Sequence, residues 1–98
     1  MKEDIELILM YDYYSGLLDA KEKEYFEYYY FENMSLLEIS EKYNISRNAV
    51  HKTLKKVKEE LMKYENTLHL IEKSNKLQKI IDEIEDEQLK NKILEIDI

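Results

Sequence analysis

Apolar residues recur in steps of three and four along almost the whole chain. Leu7, Met10, Tyr11, Tyr14 and Leu18 form the first stripe, which predicts a helix from about Glu3 to Ser15. Glu3, Asp4 and Glu6 fall in its first turn, where the helix dipole favours anions. Gly16 stands where a C-terminal stop belongs. Asp19 can cap a second helix running to about Glu32, with Phe26, Tyr29 and Tyr30 on its inward face and Asn33 at its end. Ser35 and Glu38 have capping-box spacing. Leu36, Ile39, Ser40 and Tyr43 follow on a third helix. Asn44 tolerates the left-handed backbone of a sharp turn, Ile45 plugs the corner and Ser46 caps the next helix.

The fourth helix begins at Arg47 and is long. Val50, Leu54, Val57, Leu61, Tyr64, Leu68 and Ile71 alternate in steps of four and three, a heptad seam. At 1.5 Å per residue the seam runs roughly 30 Å, more than a three-helix core covers. It is expected to pack on the first two helices, on a second copy of the chain in a homodimer, or on a folded-back tail. Ser74 and Asn75 interrupt the pattern, and it resumes off-phase at Leu77, Ile80, Ile81 and Ile84. Asp86 can cap a last short helix carrying Leu89, Ile93 and Leu94. The chain therefore reads as all-α: a compact helical helix-turn-helix domain over residues 1–73, with its motif at 35–58, and a C-terminal helical tail over 74–98.

Composition agrees with helices. The 98 residues include no proline and one glycine, which disfavours hairpins and long loops. No cysteine means no disulfide or thiolate chemistry and fits a reducing compartment. The opening MKEDIELILM carries acids where a secretory signal needs a basic start. No apolar run approaches the ~20 residues that span a bilayer. A cytoplasmic protein with no membrane partner is expected. His51 and His69 are 18 residues apart on one predicted helix, about 27 Å by its rise, too far to share a metal. With no glycine-rich phosphate loop and no nucleophile-base arrangement, neither cofactor nor enzymatic activity is expected.

Charge singles out one segment. Residues 1–45 hold 4 basic and 11 acidic groups, residues 46–58 hold 5 basic groups and no acid, and residues 59–98 hold 6 basic and 11 acidic groups. A narrow positive edge on an acidic chain, at the start of the second helix of a helix-turn-helix, fits contact with a phosphate backbone. The flanking acids weaken any broad non-specific attraction. At 100° per residue, Asn48, His51, Lys52 and Lys55 point away from Val50, Leu54 and Val57, with Lys56 at the edge and Arg47 at the exposed N-terminus. Asn48, His51 and Lys52 have the chemistry to meet bases, while Arg47, Lys55 and Lys56 suit phosphates. The alternative is a solvated lysine face. Nine tyrosines, including the run Tyr28-Tyr29-Tyr30 before Phe31, cannot all face one core, so some line a protein contact or a wet rim.

From YDYYSGLLDAKEKEYFEYYYFEN through SLLEISEKYNISRNAVHKTLKKVKEELMKYE to the following LHL, the chain resembles the YlxM-like family of small bacterial proteins. SLLEISEKYNISRNAVHKTLKKV also looks like the promoter-contacting helix-turn-helix of sigma factors. The resemblance implies an all-helical fold with a sigma-factor-like helix-turn-helix. It also implies an accessory or regulatory role in the signal recognition particle pathway, because family members are commonly encoded beside that particle's GTPase and its receptor. Partners would be nucleic acid, either DNA or the particle's RNA, and the particle's protein. Matching the motif carries Arg47, Asn48, His51, Lys52 and Lys55 over as contact positions. Asn44 departs from the glycine such motifs prefer. Two other readings stand beside this one: a dimeric sequence-specific DNA-binding regulator, and a protein-protein interaction module.

Overall fold

Side-chain caps set four of the helix starts. In the computed structural model, which describes residues 2–96 and side chains from Asp4 onward, the Glu22 N–H donates to Asp19 at 2.8 Å and the Asp19 N–H donates to Glu22 Oε1 at 3.0 Å. Ser35 and Glu38 make the same exchange at 3.0 and 3.1 Å. The Ala49 N–H donates to Ser46 Oγ at 3.0 Å, and Asp86 accepts the N–H groups of Gln88 and Leu89 at 3.0 and 3.2 Å. The elements are α1 (Lys2–Tyr14), a 3-10 turn (Ser15–Leu17), α2 (Ala20–Tyr30), α3 (Leu36–Tyr43), α4 (Arg47–Leu68), α5 (Leu70–Asp82) and α6 (Glu87–Leu94). Among the described residues there is no strand, and no helix is long and apolar enough to cross a membrane. The expected limits at residues 1 and 98, and the Glu3 carboxylate expected in the first turn, lie outside the described part.

The first half of the heptad seam is internal core. Val57 and Leu61 of α4 are fully buried against Leu7, Tyr11, Tyr14, Leu18 and Phe26. One turn towards the motif, Val50 and Leu54 close with Tyr25 and Ile39. Burying such side chains contributes about 1.5–3 kcal/mol each, so this seam is the main adhesive of the fold. Tyr11 stacks on Phe26 with ring centres 4.2 Å apart. The buried Tyr11 and the partly buried Tyr43 turn their hydroxyls to carboxylates: Tyr11 donates to Glu27 at 2.8 Å and Tyr43 to Glu24 at 2.6 Å. Burial first, and then these glutamates, raise the ionisation of both phenols above the usual tyrosine range.

Three local expectations differ from the structure. Gly16 lies within the 3-10 turn and does not take a positive φ, so α1 tightens to its end without a left-handed stop. On α2 the buried aromatics are Tyr25 and Phe26, whereas Tyr29 is exposed and Tyr30 only partly buried. Tyr29 borders a cavity to which α4 contributes His51, Lys55 and Lys58 as well as the seam residue Leu54, so its ring is not closed over. The helix break falls at His69, not at Ser74 and Asn75, which lie inside α5. The seam expected to run to Ile71 surfaces at Leu68, which is 42% exposed, while Tyr64 and Ile71 are partly buried against the first core cluster.

The break at His69 has a built-in brace. His69 takes φ 57° and ψ 31° and supplies no side-chain cap to α5. The capping comes from elsewhere: Tyr14 accepts the Leu70 N–H at 3.1 Å, and the Glu65 carboxylate accepts the N–H groups of Ile71 and Glu72 at 3.1 and 3.3 Å. Tyr14 in turn donates to Glu65. A core tyrosine and a glutamate one turn before the break thus satisfy the orphan donors of the next helix. Tyr13 adds a bond to Ser74 at 2.9 Å, which ties α5 to α1.

Candidate nucleic-acid interface

The turn between α3 and α4 is rigid for reasons visible in its backbone. Asn44 takes φ 54° and ψ 48°, the left-handed region that asparagine enters more readily than most residues. Its N–H reaches the Glu41 carbonyl at 3.3 Å, and the Ile45 N–H reaches the Ser40 carbonyl at 3.0 Å. That pair of bonds is a Schellman closure, and it satisfies carbonyls at the end of α3. Ser40 is buried and donates to its own helix at the Leu37 carbonyl, so its small side chain sits inside the motif without an unmet hydroxyl. Ile45 packs on the cluster of Tyr25, Ile39, Val50 and Leu54. The entry of α4 is thereby fixed relative to α3.

This geometry sends the cationic side of α4 outward. Arg47, Asn48, His51, Lys52, Lys55 and Lys56 are all exposed, and none joins either apolar cluster. They are not electrically equivalent. Lys56 Nζ lies 3.7 Å from Glu60 and 4.0 Å from Glu22. Glu22 is buried, and burial first lifts its carboxyl above the ordinary glutamate range, with Glu60 adding to the rise. The Lys56 charge is thus directed towards the protein's own acids. Among the described residues, Arg47, Lys52, Lys55 and Lys58 form no ion pair.

Lys58 was not singled out by the reading of the motif, yet it belongs beside His51 and Lys55. The steps 47, 51, 55, 58 keep one flank of a helix, and Asn48 borders it. The flank spans about 16 Å of helix axis. The signal was present in the spacing, and it was hidden because Lys58 lies past the first turns that a recognition helix normally presents. His69, expected on the same helix as His51, instead occupies the break, where its Nδ1 lies 3.2 Å from Glu72 Oε2.

Comparison with known proteins gives a consistent assignment. The profile of UPF0122, the YlxM/p13-like helix-turn-helix proteins, matches residues 1–98. A UPF0122 protein of Desulforamulus reducens is 42% identical over 84 residues, covering 86% of this chain and 72% of that one. One of Ureaplasma parvum serovar 3 is 41% identical over 90 residues, covering 92% and 91%. One of Listeria innocua serovar 6a is 36% identical over 87 residues, covering 89% and 79%.

Proposed function

This chain belongs to the UPF0122 family of YlxM/p13-like helix-turn-helix proteins, and from that premise we propose that it binds nucleic acid through the outward flank of α4. It acts as a non-enzymatic accessory or regulatory protein of the signal recognition particle pathway. The observation that carries the binding is the exposed set Arg47, Asn48, His51, Lys52 and Lys55 on a helix whose opposite side is core. Arg47 and Lys55 meet phosphates, and Asn48, His51 and Lys52 meet base edges or phosphates in the first turns of the helix. Lys56 is the weakest member, because Glu22 and Glu60 already compensate it. The link to the targeting pathway rests on the family resemblance.

The acidic remainder of the chain limits non-specific attraction, since only residues 46–58 carry net positive charge. Binding therefore depends on a shaped target more than on bulk charge. A second reading, a dimeric DNA-binding regulator, draws on Ile80, Leu94 and Ile96 of the α5–α6 region, which are 58%, 54% and 65% exposed and offer apolar area to a second copy.

Competition at physiological salt separates the readings. The protein is titrated with the particle RNA, with its own promoter DNA and with random duplex DNA. The expected order places the particle RNA first and the two DNAs together. Preference for promoter DNA by a dimer would favour the second reading, and absence of binding to all three would end the proposal.

A further inference from the structure

Beside the basic flank of α4, the C-terminal end of α2 forms one wall of a cavity of about 240 Å³. Tyr29 and Tyr30 line it from α2, Leu36 from the start of α3, and His51, Leu54, Lys55 and Lys58 from α4. The two tyrosine rings stand edge to face, 4.9 Å between centres and 82° apart. Tyr29 is 36% exposed, the residue of α2 that the inward-facing stripe should have hidden. The cavity is smaller than the roughly 300–1,000 Å³ usual for small-molecule sites. It suits one planar ring rather than a whole cofactor.

We propose that this cavity receives a single unpaired base of an RNA strand, with Tyr29 as the stacking surface and Lys55 and Lys58 holding the flanking phosphates. The inference rests on α4 being the nucleic-acid surface, and it adds the form of nucleic acid selected there. Three features converge. Aromatic rings give a base its π-face partner, and such stacking is indifferent to base identity. Two lysines that form no ion pair among the described residues stand on the same wall, so the cavity is cationic inside an acidic protein. The cavity also adjoins the flank that begins at Arg47, so a strand following that flank would reach it. RNA presents unpaired bases in loops and bulges, where specific recognition commonly uses aromatic stacking, whereas an intact duplex keeps its bases stacked inside. The glutamates of α2 do not line this cavity, although they surround its tyrosines in the sequence.

The test uses the full chain with two fluorescent probes: a hairpin RNA with an unpaired adenosine loop, and the same stem closed as a blunt RNA duplex. Tyr29→Ala should weaken hairpin binding by roughly 5- to 100-fold and leave duplex binding unchanged. Tyr29→Phe should keep hairpin affinity near wild type, and circular dichroism should show both variants folded. Lys52→Ala should weaken both probes. Hairpin binding unaffected by Tyr29→Ala, or equal losses on hairpin and duplex, would overturn the base cavity while leaving α4 as the surface. Failure of the wild type to bind either probe or any DNA would overturn both.

Discussion

Leu61→Asp should leave the chain without a cooperative melting transition at 25 °C. Leu61 is fully buried at the meeting of α1, α2 and α4, in the cluster that contains Leu7, Tyr11, Tyr14 and Phe26. Truncating such a leucine alone costs about 2–5 kcal/mol, and a carboxylate with no cation beside it adds several more. Small domains hold only about 5–15 kcal/mol in total, so the substitution removes most or all of the margin. Leu68→Asp is the informative companion. It occupies the same heptad seam seven residues on, but it is 42% exposed and should melt nearly as wild type does. Thermal unfolding followed by circular dichroism distinguishes them. A native-like transition for Leu61→Asp would mean that the seam is not the core.

Glu65→Ala is expected to cost about 2–3 kcal/mol and to loosen α5 specifically. One carboxylate accepts the Tyr14 hydroxyl and the N–H groups of Ile71 and Glu72 at the break after α4. Removing it leaves two helix-start donors unmet and strips the Tyr14 hydroxyl, on a buried side chain, of its acceptor. Hydrogen exchange at the Ile71 and Glu72 amides should accelerate more than exchange at Val57 or Leu61. Glu72→Ala, at an exposed residue that pairs with Lys76 and His69, should change the melting curve little. Uniform acceleration across α4 and α5 would show that Glu65 supports the whole domain and not the break.

Much of the motif was legible because its determinants are local. Capping boxes at Ser35 and Asn44 in a left-handed turn depend on residues within five positions of one another, and both occur as the spacing implies. The first half of the α4 seam was legible for a similar reason, since a run from Val50 to Leu61 has a single helical face to bury. What escaped depends on partners distant in sequence. The break at His69 is held by Tyr14, 56 residues from the Leu70 amide it caps, and no pattern around Ser74 or Asn75 encodes that contact. Tyr29 has the angular position of a core residue, four residues after the buried Tyr25, yet it borders a cavity shared with Leu54, His51, Lys55 and Lys58 of α4 and stays exposed. Lys56 and Lys55 look alike in the sequence, and Glu22 of α2 separates them electrically.

The most direct measurement is the salt dependence of nucleic-acid affinity for wild type and for Lys52→Ala with Lys55→Ala, using the RNA or DNA that binds best. The slope of log affinity against log salt counts the phosphate charges neutralised. If the outer flank of α4 is the contact surface, the double variant should lose about 2 units of slope while its melting curve is unchanged. A slope identical to wild type would place the phosphates elsewhere on the molecule and contradict the account.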